Sequence, residues 1–124
     1  MKLHAETRPG INFITACDGA LVQINEARHA APLIVLPQGL IHTWQPLSFD
    51  ALTAEHFDIL AALGVEIMLF GTGARQRFAH PRLTRALIDK RIGLEMMDTG
   101  AACRTYNILV SEGRSVAAAL LPAI

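Results

Sequence analysis

Val65-Glu66-Ile67-Met68-Leu69-Phe70, running into Gly71-Thr72-Gly73, and Leu94-Glu95-Met96-Met97, running into Asp98-Thr99-Gly100, decide the fold of this chain. Each is a short, largely apolar run of strand length that stops at residues suited to ending a strand or starting a helix. Between them, Pro81 opens a segment whose Leu83, Leu87 and Ile88 share one stripe at helical spacing. Proline is tolerated in a first helical turn because its missing N–H would be unpaired there in any case. The spacing predicts a helix from Pro81 to Arg91, with Lys90 and Arg91 complementing the dipole of its last turn and Gly93 ending it. Strand, covering helix and second strand in this order form a crossover unit with parallel strands.

The pattern continues on both sides. Downstream, Asp98 or Thr99 caps a third helix reaching Glu112, in which Ala102, Tyr106 and Leu109 share a face; Gly113 stops it, and residues 116–121 form a closing strand of small side chains. Upstream, Thr53 caps a helix running to Leu63, with Leu52 and Phe57 placed as a hydrophobic staple and Gly64 as its left-handed stop. Still earlier, Asp18-Gly19 separates two apolar runs within residues 11–24, the signature of a β-hairpin. Leu33 to Leu36 and Leu40 to Trp44 read as short strands with Pro32, Pro37 and Pro46 outside them. The expected fold class is therefore α/β: a mixed sheet, with parallel crossover units in the C-terminal half and an N-terminal β-hairpin.

A length of 124 residues fits one domain, and 52% apolar against 18% charged residues supports a folded core. The formal net charge is zero, which argues against nucleic acid or anionic lipid as a partner held by bulk charge. Cys17 and Cys103 form no CxxC pair and no dense disulfide framework, pointing to a reducing compartment. Residues 1–8 are charged and lack a secretory apolar core, so a cytoplasmic location is expected. No apolar stretch reaches the roughly 20 residues of a membrane-spanning helix.

Ligands of open α/β sheets gather at the carboxyl ends of parallel strands. There, Gly71, Thr72 and Gly73 offer a close backbone approach, while Asp98, Thr99 and Gly100 lead into a helix N-terminus. Arg75, Gln76 and Arg104 are placed to clamp a small anion between these loops, and Cys103 is the only nucleophile candidate beside them. The plain alternative is tight turns, a helix cap and solvated arginines. Gly-Thr-Gly matches neither GxxxxGK[ST] nor GxGxxG, the five histidines show no metal-ligand spacing, and no catalytic set emerges. No cofactor or metal is expected.

Charge is unevenly spread along the chain. Residues 1–60 carry three Lys+Arg against six Asp+Glu, a balance of −3, whereas residues 61–124 carry eight against five, a balance of +3. Arg75, Arg77, Arg82, Arg85, Lys90 and Arg91 face a single Asp89 within residues 75–91. Such a cluster reads either as a solvated face or as a docking surface for an acidic partner or for the negative N-terminal half of a second copy.

The run from Gly93 through Met97-Asp98-Thr99-Gly100-Ala101-Ala102-Cys103-Arg104-Thr105-Tyr106-Asn107 to Leu109 resembles the domain of the mitochondrial complex I assembly factor 3 family and its prokaryotic relatives. Gly71-Thr72-Gly73 before Arg75-Gln76, Pro81, and Glu112-Gly113-Arg114 before the last strand extend the similarity over residues 11–121. The resemblance implies a single three-layer domain with a central mixed sheet. Mitochondrial members of that family help assemble the membrane-bound respiratory NADH dehydrogenase. Together with the missing catalytic set, the resemblance points to a non-enzymatic accessory protein acting through a protein partner. The alternative is a small-anion-binding protein or enzyme with its pocket between Gly71–Gly73 and the Asp98–Thr99 helix start. The absence of a targeting extension before residue 1 makes the chain look like the prokaryotic form.

Overall fold

The computed structural model describes all of residues 1–124. Its centre is a five-stranded sheet built from β4 (Leu33–Val35), β5 (His42–Thr43), β6 (Ile67–Gly71), β7 (Gly93–Met97) and β8 (Val116–Leu120), in the order β5-β4-β8-β6-β7. β6 runs parallel to both β7 and β8, whereas β4 is antiparallel to β8 and to β5. The sheet is therefore mixed, and its parallel part is made by the two C-terminal crossovers. A separate antiparallel sheet, β1 (Ile14–Asp18), β2 (Leu21–Ile24) and β3 (Ala27–Ala30), precedes it.

Alternation along the strands separates two apolar cores. Ile34, Met68, Phe70, Ala117 and Ala119 point to one face of the central sheet, where helix α1 (Ala54–Ala61), the short helix α2 (Arg85–Asp89) and Trp44 cover them. Leu33, Val35, Leu69, Val116, Ala118 and Leu120 point to the other face, under helix α3 (Thr99–Ser111) and the hairpin sheet. One-residue alternation across a doubly covered sheet is the physical basis of the three layers. Small side chains on β8 let α3 sit close. At Gly71 an added Cβ would lie 2.9 Å from Leu120 and 3.1 Å from the Cα of Thr99, so only glycine fits there.

Several expected boundaries shift, each for a local reason. The helix expected over 81–91 is only Arg85–Asp89; Pro81 to Thr84 instead form hydrogen-bonded turns, with Thr84 N–H donating to the Pro81 carbonyl. Arg91, at φ 56°, supplies the left-handed stop expected of Gly93, which is instead the first residue of β7. The Ile92 N–H then closes back on the Leu87 carbonyl, a Schellman arrangement. Lys90 and Arg91 thus lie beyond the last helical turn. The strand expected over 40–44 shrinks to His42–Thr43, and β3 was not anticipated. Asn25, at φ 53°, makes that extra turn, its amide bonding Phe13 N–H and the Ile11 carbonyl.

Two side chains of α3 fasten the outer sheet to the domain. The buried Asn107 amide accepts from Ile14 N–H at 2.9 Å and donates to the Ile14 carbonyl at 2.7 Å, and the Tyr106 hydroxyl donates to the Asn12 carbonyl. Residues 1–3 cover the same edge of β1 further along, through a bridge between Lys2 and Ala16.

Candidate functional site

The loops after β6 and β7 do meet, and they meet directly. Thr72 N–H donates to the Met97 carbonyl, Thr99 N–H donates to the Gly73 carbonyl, and Gly73 N–H donates to Thr99 Oγ1 at 3.0 Å. The Thr99 hydroxyl donates onward to the Leu121 carbonyl at 2.8 Å and is fully buried. Asp98 caps α3 by accepting from Ala101 N–H. The N–H groups of Thr72, Gly73, Thr99 and Ala101 are spent on these contacts, and the Thr99 hydroxyl links the two loops to Leu121. Gly100 sits instead beside the Met1 side chain on the outer surface.

The two arginines expected to share one anion lie in different depressions. Arg75 lines one of about 280 Å³ with Phe49, Asp50, Thr72, Arg77 and Pro122. Arg104 lines one of about 450 Å³ between residues 1–6 and the exposed side of α3, where its Nη1 contacts Met1 Sδ. The expected clamp around Gly71–Gly73 and Asp98–Gly100 is thus not assembled.

Cys103 faces inward and is fully buried beside Cys17 of β1. The neighbouring Cys17 thiol, together with burial, pushes the Cys103 thiol above its ordinary range. Both cysteines are free. A thiol with no solvent access and a raised pKa is a poor nucleophile, so Cys103 is a packing residue of the inner core.

The basic segment divides into bound and free cations. Thr72 Oγ1 donates to the Arg75 carbonyl and accepts from Arg77 N–H, shaping the turn. Arg77 lies over Phe49, 5.0 Å from the ring centre, with Asp50 at 3.6 Å; Phe49 in turn stacks on Phe70. Lys90 Nζ reaches the Ala61 carbonyl at 3.4 Å and ties the end of α2 to α1. Arg75, Gln76, Arg82, Arg85 and Arg91 are exposed. Phe78, 73% exposed, and Ile88 lie in the same segment as bare apolar side chains. Sequence reading missed Phe78 as a surface residue, because an aromatic amid turn residues carries no periodicity that assigns it a side.

No group of three or more His, Cys, Asp and Glu stands close enough to hold a metal ion, and no helix is long and apolar enough to cross a membrane. What the geometry presents is a small three-layer mixed α/β domain with its parallel-strand loops hydrogen-bonded to each other and six of its eleven Lys and Arg on one exterior crossover. The chain belongs to the family described as "Protein of unknown function (DUF498/DUF598)", whose model matches residues 14–121. It is 37% identical over 101 residues to the Bos taurus NADH dehydrogenase [ubiquinone] 1 alpha subcomplex assembly factor 3, an alignment covering 80% of this chain and 54% of that one. The chain thus spans about half the length of that relative. A 13 kDa major membrane protein of Francisella tularensis is 26% identical over 102 residues, covering 82% of this chain and 81% of the other. Among solved structures, a Bordetella parapertussis protein superposes with a TM-score of 0.86 at 37% identity, covering 94% of this chain and 99% of that one.

Proposed function

We propose that this chain is a non-enzymatic accessory protein that helps assemble a membrane respiratory complex by binding a protein partner through the exposed part of residues 75–91. The observation that carries the reading is its membership of one family with the assembly factors, at 37% identity to the bovine protein. The direct hydrogen bonding between the two loops and the burial of Cys103 favour this reading over a ligand or enzyme site at that place. Arg75, Arg82, Arg85 and Arg91 supply exposed cations that no acidic side chain of this chain pairs with, and an acidic surface on the partner complements them. The free cysteines suit a reducing compartment such as the cytoplasm, where the partner would be met before or during membrane assembly.

The test is quantitative affinity purification of the full chain from its native cells at moderate salt, beside the Arg75→Glu, Arg82→Glu variant. Subunits of a respiratory complex enriched with wild type and lost with the folded variant are the expected result. Equal recovery with both overturns the assignment of this surface.

A further inference from the structure

The strand β7 lies at the rim of the central sheet and pairs with β6 alone. Two hydrogen bonds fix the phase of that ladder: Gly93 N–H donates to the Glu66 carbonyl, and Thr72 N–H donates to the Met97 carbonyl. In a parallel pair each bonded residue turns both its N–H and its C=O to the same neighbour, and its sequence neighbours turn theirs away. Gly93, Glu95 and Met97 therefore face β6, while the N–H and C=O groups of Leu94 and Met96 face outward. No backbone or side-chain group of the chain bonds them. A five-residue rim with four unpaired backbone groups is a template for another strand.

The surroundings of this rim select its occupant. The side chains of Leu94 and Met96 pack on the α2 side of the sheet, and the crossover on that side carries Arg82, Arg85 and Arg91, all exposed. Ala79 N–H contacts Met96 Sδ at 3.1 Å, and Phe78, its neighbour in the chain, is exposed. On the opposite side of the sheet the exposed Glu95 is the central residue of the strand. A second copy fits poorly. Antiparallel pairing that uses both Leu94 and Met96 puts the two Glu95 carboxylates directly opposite each other, and like charges there destabilise the pair.

We propose that the outer edge of β7 binds an extended segment of a partner protein as a sixth strand. The segment carries acidic side chains at alternate positions toward Arg82 and Arg85, apolar contact with Phe78, and no acid opposite Glu95. Backbone pairing supplies the affinity and the two-residue alternation supplies the specificity. The inference deepens the proposed function, resting on its protein partner and adding the kind of segment that partner presents.

The full chain is titrated with a blocked peptide alternating valine and glutamate, and with a valine-lysine control, while amide exchange is followed residue by residue. The glutamate peptide slows exchange at Leu94 and Met96 by about tenfold or more, and the lysine peptide does not. Leu94→Pro removes one outward N–H without removing a bond to β6, so it abolishes this protection while Gly93, Glu95 and Met97 stay protected. Should that variant fail to fold, Arg82→Glu with Arg85→Glu decides, weakening the peptide at least about tenfold at low salt. Unchanged exchange at Leu94 and Met96 in saturating glutamate peptide, equal binding of the two peptides, or dimer formation through this edge overturns the proposal. A co-purified respiratory subunit that leaves these amides exposed overturns the edge alone. Protection by the peptide without any co-purified partner overturns the assembly reading alone.

Discussion

Asn107 and Tyr106 show how much one helical turn can decide. Their polar ends hold the backbone of Asn12 and Ile14 at the boundary between the outer sheet and α3. Asn107→Leu keeps a similar volume but strands a buried N–H and C=O, and should lower the unfolding free energy by about 2–4 kcal/mol in a urea titration. Tyr106 offers a pH test, since burial raises its phenol above the ordinary 10.0. The folded state therefore prefers the protonated ring. That stabilisation is complete below the unfolded pKa and is lost as pH rises through it toward the folded value. Tyr106→Phe should be less stable than wild type by about 1 kcal/mol near neutrality, from the lost bond to Asn12. Above about pH 10 the difference should narrow, as measured by unfolding at a series of pH values. Sequence reading placed Tyr106 on the apolar stripe of α3 but gave no hint of Asn107, because an asparagine's partner 93 residues away leaves no local periodicity.

At the scale of elements, the fold was readable wherever a strong local signal stood at both ends. Helix α3 had an acidic cap and a terminal glycine, and it appears at Thr99–Ser111 with Asp98 as its cap. The hairpin followed from Asp18-Gly19. Helix α2 had a proline start and a basic end, yet residues 81–84 turn instead, since the crossover must fit Ala79 and Leu87 into the core over Phe70. β3, with the sequence Ala-Arg-His-Ala, carries no strand propensity, and pairing with β2 imposes it. The loops of the candidate anion site were hard to read on the same ground: glycine, threonine and aspartate at strand-to-helix junctions serve ligand binding and loop closure alike, and the bonds of Thr99 Oγ1 show the closure. Gly71→Ala tests that closure. Its Cβ would meet Leu120 and the Thr99 backbone, so it should cost about 1–3 kcal/mol, seen as a lower thermal midpoint.

For the whole molecule, the separation of charge matters more than its zero sum. The positive excess sits on the β6-to-β7 crossover, outside the core, where reversing it leaves packing intact. Arg82→Glu and Arg85→Glu should change stability by less than about 0.5 kcal/mol, since both side chains are exposed and unpaired. Any strong functional effect of these changes would therefore arise from a lost partner. The most direct measurement is complementation in native cells from which this chain has been removed, scored by the amount of fully assembled respiratory NADH dehydrogenase on a native gel. Removal should lower the assembled complex and wild type should restore it, whereas the folded Arg75→Glu, Arg82→Glu variant should not. Undiminished complex without the chain, or full restoration by the charge-reversed variant, would contradict the account.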